Sequence, residues 1–226
     1  MSLLNPPAFI TLTGADDSTN LFDMRDIARC FPVEWGILLS PERRGQPRFP
    51  SHAFINSLRF SGLKLSAHIC GAYSRDLIKF GDVPELHPIL NSGMFTRAQI
   101  NTNDAKVNPK EIARWAARFG ITPILQCRNP DHFPDSGDVK WLFDCSGGRG
   151  QTPERWPLAS GEAKRIVGYA GGIGPDNIEA VVRTVGQRPT PYWLDMESRI
   201  RDRSNRLDIE ACQRVCTQTW GQVEPA

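Results

Sequence analysis

In the stretch 141–156, WLFDCSGGRGQTPERW, an apolar run ends on an acid, Asp144, and Gly147, Gly148 and Gly150 follow at once. A carboxylate closing a buried run costs desolvation free energy unless something at that position uses it. Glycines so closely spaced lose conformational entropy unless the backbone turns tightly or lies against another group. A partly buried aspartate suits proton transfer, because burial lifts its pKa toward neutrality. The plainer role for Asp144 is to cap a loop or pair with Arg149, worth about 1 kcal/mol if exposed. A second stretch, YAGGIGPDN at 169–177, sets Gly171, Gly172 and Gly174 between an apolar run and a segment opening with Pro175. A helix start in a glycine-rich loop directs free N–H groups and a positive dipole end at an anion, so these three glycines are candidate phosphate contacts. One glycine would suffice for a tight turn.

Eight short apolar runs give these residues a frame: 8–13, 34–40, 63–70, 97–102, 122–127, 139–144, 165–170 and 191–196. Helical signals lie between them. Segment 108–120 has Asn108 as N-cap, Pro109 at the first position, Ile112, Trp115, Ala116 and Phe119 on one face, and Gly120 as stop. Segment 174–186 repeats the pattern with Ile178, Val181, Val182 and Val185, and 208–221 runs from Asp208 to Gly221. The second and third crossovers are less regular. Strand, helix and strand in repetition mean parallel strands with right-handed crossovers. Eight such units predict one domain, a (β/α)8 TIM barrel over 1–221 with a polar tail at 222–226. A doubly wound open sheet is the rival architecture. In the barrel, Lys140, Leu142 and Asp144 face the interior, whereas Val139 and Trp141 face the helices.

Chemistry in such a barrel gathers at the C-terminal strand ends, here Thr13, Ser40, Cys70, Asn101 or Asn103, Cys127 with Arg128, Asp144, Gly171 with Gly172, and Asp195 with Glu197. Solvent exposure alone accounts for many of these polar residues. With 40% hydrophobic and 23% charged residues and a net charge of +2, the chain reads as globular. No apolar run reaches the roughly 20 residues of a membrane span, and the N-terminus lacks the features of a secretory signal, so a cytoplasmic protein is expected. The six cysteines fit buried thiols better than staples. Cys212 and Cys216 share a helix face but lack two further ligands for a metal. The arginines at 199, 201, 203 and 206 have no interleaved aromatics, which argues against nucleic acid.

These motifs resemble those of the phosphoribosylanthranilate isomerase family, the (β/α)8 enzymes of the tryptophan pathway. LFDCSGGRGQTPERWPL is similar to the family's strand-6 segment, YAGGIGPDNIEAVV to its strand-7 segment, and WGILLSPERRG to its strand-2 end; the DIEACQRVC helix fits the closing helix. The middle of the chain, 46–120, matches in rhythm alone. The resemblance implies an Amadori rearrangement of a phosphorylated ribosyl amine, with no metal or organic cofactor and a small phosphorylated molecule as the partner. It implies Asp144 as general acid, Gly147, Gly148, Gly171 and Gly172 around the phosphate, and Arg43 or Arg44 on the aromatic carboxylate.

Two segments depart from the family. Its first strand ends in Lys-x-Cys-Gly with the thiol as general base, but this chain has TLTGADD, with Thr13 in that place. A hydroxyl is too weak to take a C–H proton unaided. Cys70 or the first-loop Asp17 (or Asp16) is the substitute, with Thr13 left to bind substrate. After the eighth strand the family has small residues, whereas here Asp195, Glu197 and Arg199 follow one another; Asp195 and Arg199 are candidate substrate contacts. Two other readings stay open. One is a barrel that binds a phosphorylated metabolite without the family reaction. The other is a phosphosugar lyase or aldolase, which in its Schiff-base form needs a lysine at an inner strand end.

Overall fold

A computed structural model describes residues 5–104, 106–147, 149–159, 166–187 and 189–221. Its strands are β1 (Phe9–Thr13), β2 (Val33–Leu39), β3 (Leu65–Ile69), β4 (Phe95–Ile100), β5 (Thr122–Cys127), β6 (Lys140–Asp144), β7 (Val167–Ala170) and β8 (Tyr192–Met196). All pair in parallel in chain order, and β8 closes on β1 with Phe9 opposite Trp193. The expected (β/α)8 barrel is the observed one. Its helices are α1 (Leu21–Cys30), α2 (His52–Ser57), α3 (Ala72–Phe80), α4 (His87–Leu90), α5 (Pro109–Ala117), α6 (Ile178–Val185) and α7 (Ile209–Trp220). Among the described residues, no helix is long and apolar enough to cross a membrane.

The strands alternate between two environments, with one break in β4, where Leu65 is opposite Phe95 but Ser66 is opposite Arg97. Ile10, Leu12, Trp35, Ile37, Trp141, Phe143 and Tyr169 point outward and pack against Met24 and Ile27 of α1, Leu77 of α3, Trp115 of α5, Val181 of α6 and Cys212 of α7. This ring is the main core; each such side chain contributes about 1.5–3 kcal/mol on burial. Caps hold the helices in place: Asn108 accepts from Lys110 N at the start of α5, and Asp208 accepts from Ala211 N at the start of α7.

Two crossovers contain no helix among their described residues, 128–139 and 145–166. Pro130 and Pro134 with Gly137 interrupt the first, and Pro153 and Pro157 the second; a proline removes a helical donor and clashes with the preceding turn. Helix α6 starts at Ile178, later than Pro175, because the Asn177 carboxamide accepts from Gly174 N at 2.9 Å and holds 174–177 as a turn.

Inside the barrel, the two halves differ. Toward β5–β8 the interior is apolar, with Ile124, Leu142, Ala170 and Trp193 in one cluster. Toward β1–β4 it is polar: Thr11, Thr13, Glu34, Ser66, His68 and Gln99 are buried. Arg97 reaches across, its guanidinium 4.2 Å from the Trp193 ring, 4.8 Å from Phe9 and 3.4 Å from Glu34 Oε1. Burial pushes the pKa of Glu34 up and that of Arg97 down, each partly opposed by the other's charge. His68 is held neutral, its pKa lowered to about 3 first by burial and then by Arg97.

Candidate functional site

The C-terminal strand ends surround a cavity of about 510 Å³, lined among others by Gly71, Arg75, Gln99, Asn101 and Gln126. Asp144, Ala170 and Asp195 also line it. Strand register aligns these last three in one row: Asp144 on β6 is opposite Ala170 on β7, and Ala170 is opposite Asp195 on β8. With strands about 4.8 Å apart, the two acids stand roughly 10 Å apart at the backbone. Alanine between them leaves the space above the row open. Two inward carboxylates thus flank a gap with the dimensions of a sugar ring.

Their surroundings differ. Asp144 Oδ1 accepts from Ser146 N at 2.9 Å and Ser146 Oγ at 2.7 Å, and Oδ2 accepts from Gln126 Nε2 at 3.0 Å. The side chain is therefore held in one orientation by its own loop and by β5. Asp195, 8% exposed, accepts from Thr13 Oγ1 at 2.6 Å through Oδ1. Burial raises its pKa to about 7; the Thr13 hydrogen bond opposes this, and the charges of Glu197, Asp144 and Glu34 add to it. A group half-ionised near neutrality exchanges protons readily in either direction.

The glycine loops after β6 and β7 lock together beside these acids. Gly147, Gly150, Gly171 and Gly172 all line the cavity, and all have positive φ. A Cβ on Gly172 would come within 2.6 Å of Gly150 O and 2.7 Å of Thr152 N, so the close approach of the two loops requires glycine there. A Cβ on Gly171 would lie 3.7 Å from Asp144 Oδ1, which puts the strand-7 loop directly against the strand-6 acid. Gly174 stands back from the cavity, its amide occupied by Asn177. Gly148 lies outside the described residues.

The other residues singled out in the sequence are dispersed. Cys70 sits at the end of β3, its thiol 3.3 Å from His68 O and 3.1 Å from Asn101 Nδ2. Burial, with smaller contributions from Glu197 and Asp195, pushes that thiol up to about 12, which keeps it protonated at neutral pH. Asp17 is bound to Ser51 through hydroxyl and amide in the first loop, away from the cavity-lining set. Arg43 stacks over Phe49 at 4.5 Å, and Arg44 donates to the Tyr73 hydroxyl at 2.6 Å. Arg199 has its Cβ against Gly174. Arg201 is half-buried and donates to the carbonyls of Thr13, Gly14 and Glu197, tying the loop after β8 to the end of β1. Glu197 lines the cavity and pairs with Arg48 at 2.9 Å. The polar interior of β1–β4 was available in the alternation of residues 9–13, 33–39, 65–69 and 97–101, whose inward positions include Thr, Glu, Ser, His, Arg, Gln and Asn beside Phe9, Gly36 and Leu38.

No protein-family model matches the chain, and no curated protein sequence matches it. Solved structures do. TrpF from Jonesia denitrificans superposes with a TM-score of 0.61 at 16% identity, over 94% of this chain and 97% of that one. The monomeric form of the dimeric phosphoribosylanthranilate isomerase from Thermotoga maritima gives a TM-score of 0.58 at 12% identity, over 95% and 100%. Triosephosphate isomerase from Bartonella henselae gives 0.52 at 12% identity, over 95% and 98%. The likeness is one of fold, a (β/α)8 barrel spanning nearly the whole chain, and it resembles phosphoribosylanthranilate isomerases across that span.

Proposed function

We propose that this protein is a barrel isomerase that moves protons on a phosphorylated ribosyl amine, the Amadori rearrangement of phosphoribosylanthranilate, with Asp144 as general acid. On this reading it is a cytoplasmic enzyme of tryptophan biosynthesis that needs neither metal nor organic cofactor. The observation that carries the reading is the row Asp144–Ala170–Asp195, two inward carboxylates over one cavity with room between them. Asp144 protonates the ring oxygen; the C1–O bond breaks, and the nitrogen lone pair forms the C1=N iminium. The fixed orientation supplied by Ser146 and Gln126 is what an acid directed at a single oxygen requires. Backbone at Gly147, Gly171 and Gly172 receives the phosphate, a role supported by the place of all three on the cavity lining.

The test is conversion of phosphoribosylanthranilate by purified protein and by Asp144→Asn. The wild type is expected to form the ketose product, and the variant to lose at least about 100-fold in rate, the usual contribution of a positioned acid. Absence of conversion above background by the wild type would end the reading.

A second reading, a barrel that binds a phosphorylated metabolite without converting it, is favoured by Thr13 at the place of the family's thiol. Asp104, Asp144, Asp195 and Glu197 line the cavity against Arg75, so an anion there depends on the amides of the glycine loops. Ligand-induced thermal shift without turnover would support this reading. A Schiff-base lyase is less well supported, because Lys64 precedes β3 and Lys140 opens β6, at the end of the strands remote from the cavity.

A further inference from the structure

The reaction needs a base for the C2 proton, and the first strand offers a hydroxyl where a thiol would be needed. That hydroxyl has a partner. Thr13 Oγ1 donates to Asp195 Oδ1 at 2.6 Å, joining the last residue of β1 to the neighbouring strand β8. Asp195 lines the cavity, faces the same gap as Asp144, and is placed one strand from Thr13 by barrel closure. Cys70 and Asp17 are poorer alternatives: the thiol of the first is held between His68 O and Asn101, and the second is bound to Ser51. We infer that Asp195 is the general base, and that Thr13 is a positioning residue that fixes Oδ1 so that Oδ2 meets the substrate carbon. This assignment rests on the isomerase reading above and deepens it.

In the step itself, Oδ2 takes the proton from C2 of the iminium. The C–H electron pair becomes the C1=C2 bond, and the C1=N π pair moves onto nitrogen, giving a neutral enaminol. Asp195 then returns a proton to C1 while the enol O–H loses its proton to solvent, leaving a C2 ketone. Asp144 is reprotonated from solvent. The sum is an isomerisation with no oxidant or reductant.

The groups facing Asp195 come from every side of the barrel: Thr11 and Thr13 of β1, Glu34 of β2, Cys70 at the end of β3, Arg97 of β4, Asp144 of β6, and Glu197 beyond β8. Its burial opposes ionisation first, and the charges of Glu197 and Glu34 add to this, as does that of Asp144 whenever it has given up its proton; the Thr13 hydroxyl favours ionisation. A carboxylate with a pKa of about 7 is a far stronger base than an ordinary one, and it stays ionised above neutrality.

The experiment measures kcat/KM for phosphoribosylanthranilate from pH 5 to 9 with wild type, Asp195→Asn and Thr13→Val, with circular dichroism as a check on folding. The expected wild-type profile falls as pH drops through about 7, because the base becomes protonated. Asp195→Asn is expected to lose at least about 100-fold at pH 8. Thr13→Val removes the hydrogen bond that stabilises the ionised form, so its acidic limb moves to higher pH while the maximal rate stays within about 10-fold of wild type. A merely structural role for Thr13 would lower the maximal rate and leave the limb in place, and that result overturns the assignment. So does an Asp195→Asn variant that keeps more than about a third of the wild-type rate while the wild type is active, which spares the isomerase reading. If Asp195→Asn does not fold, the Thr13→Val limb decides alone. A silent wild type defeats the parent reading and this assignment together.

Discussion

Replacing Arg97 by Met would remove the cation from the barrel interior and keep most of the stem that packs there. The guanidinium is 3.4 Å from Glu34 Oε1, and the two side chains are 12% and 6% exposed. It also stacks 4.2 Å over Trp193 and 4.8 Å over Phe9. Breaking a buried pair from one side leaves an uncompensated charge and costs about 3–5 kcal/mol. For a domain of this size, that corresponds to a fall of about 10 °C in the thermal midpoint. Glu34 keeps its bond from Thr11 at 3.0 Å, but burial, which already raises its pKa, then acts without its main opponent. A carboxyl whose folded pKa lies above its unfolded value of 4.5 contributes stability below that value, and the contribution is lost as pH rises through the folded pKa. Arg97→Met is therefore expected to be most destabilised at pH 8 and to recover as pH falls toward 5. Adding Glu34→Gln should restore more than half of the loss at pH 8, because the unpaired Glu34 charge is then gone. Urea titrations at pH 5, 6.5 and 8 on the single and double variants measure this. A loss under about 1 kcal/mol that does not change with pH would refute the reasoning.

Other outcomes follow from single contacts. A Cβ on Gly36 would collide with Thr13 Oγ1 and lie 3.0 Å from His68 Cε1, so Gly36→Ala should displace the Thr13 hydroxyl from Asp195. The acidic limb of its pH–rate profile is then expected above that of the wild type. Gly172→Ala puts a side chain at φ +59° within 2.6 Å of Gly150 O, and should cost about 1–3 kcal/mol in denaturant while weakening substrate affinity through the displaced loop. Asp208→Ala removes the acceptor 2.9 Å from Ala211 N at the start of α7, and should cost about 1 kcal/mol with no change in KM.

The barrel could be read from the sequence because eight short apolar runs recur with helical segments between them; β5 occupies the expected span, Thr122–Cys127. The two helix-free crossovers were less legible, since a (β/α)8 rhythm predicts a helix where Pro130, Pro134, Pro153 and Pro157 forbid a regular one. Asp144 stood out as an acid ending an apolar run beside glycines, a signal carried within seven residues. The environment of Asp195 had no such local mark. Its partner Thr13 is 182 positions away, and its perturbed ionisation depends on burial and on the charges of Glu197, Asp144 and Glu34, which only barrel closure brings together. Arg43 and Arg44 show the converse, a motif-like run whose side chains turn to Phe49 and Tyr73.

Single-turnover conversion of phosphoribosylanthranilate by Asp144→Asn, Asp195→Asn and the double variant bears most directly on two carboxylates acting as one proton-transfer unit. Each single change should cost at least about 100-fold, and the double should be little worse than the weaker single, because groups that work together are not additive. Wild-type rates from either single variant, or losses that multiply in the double, would contradict it.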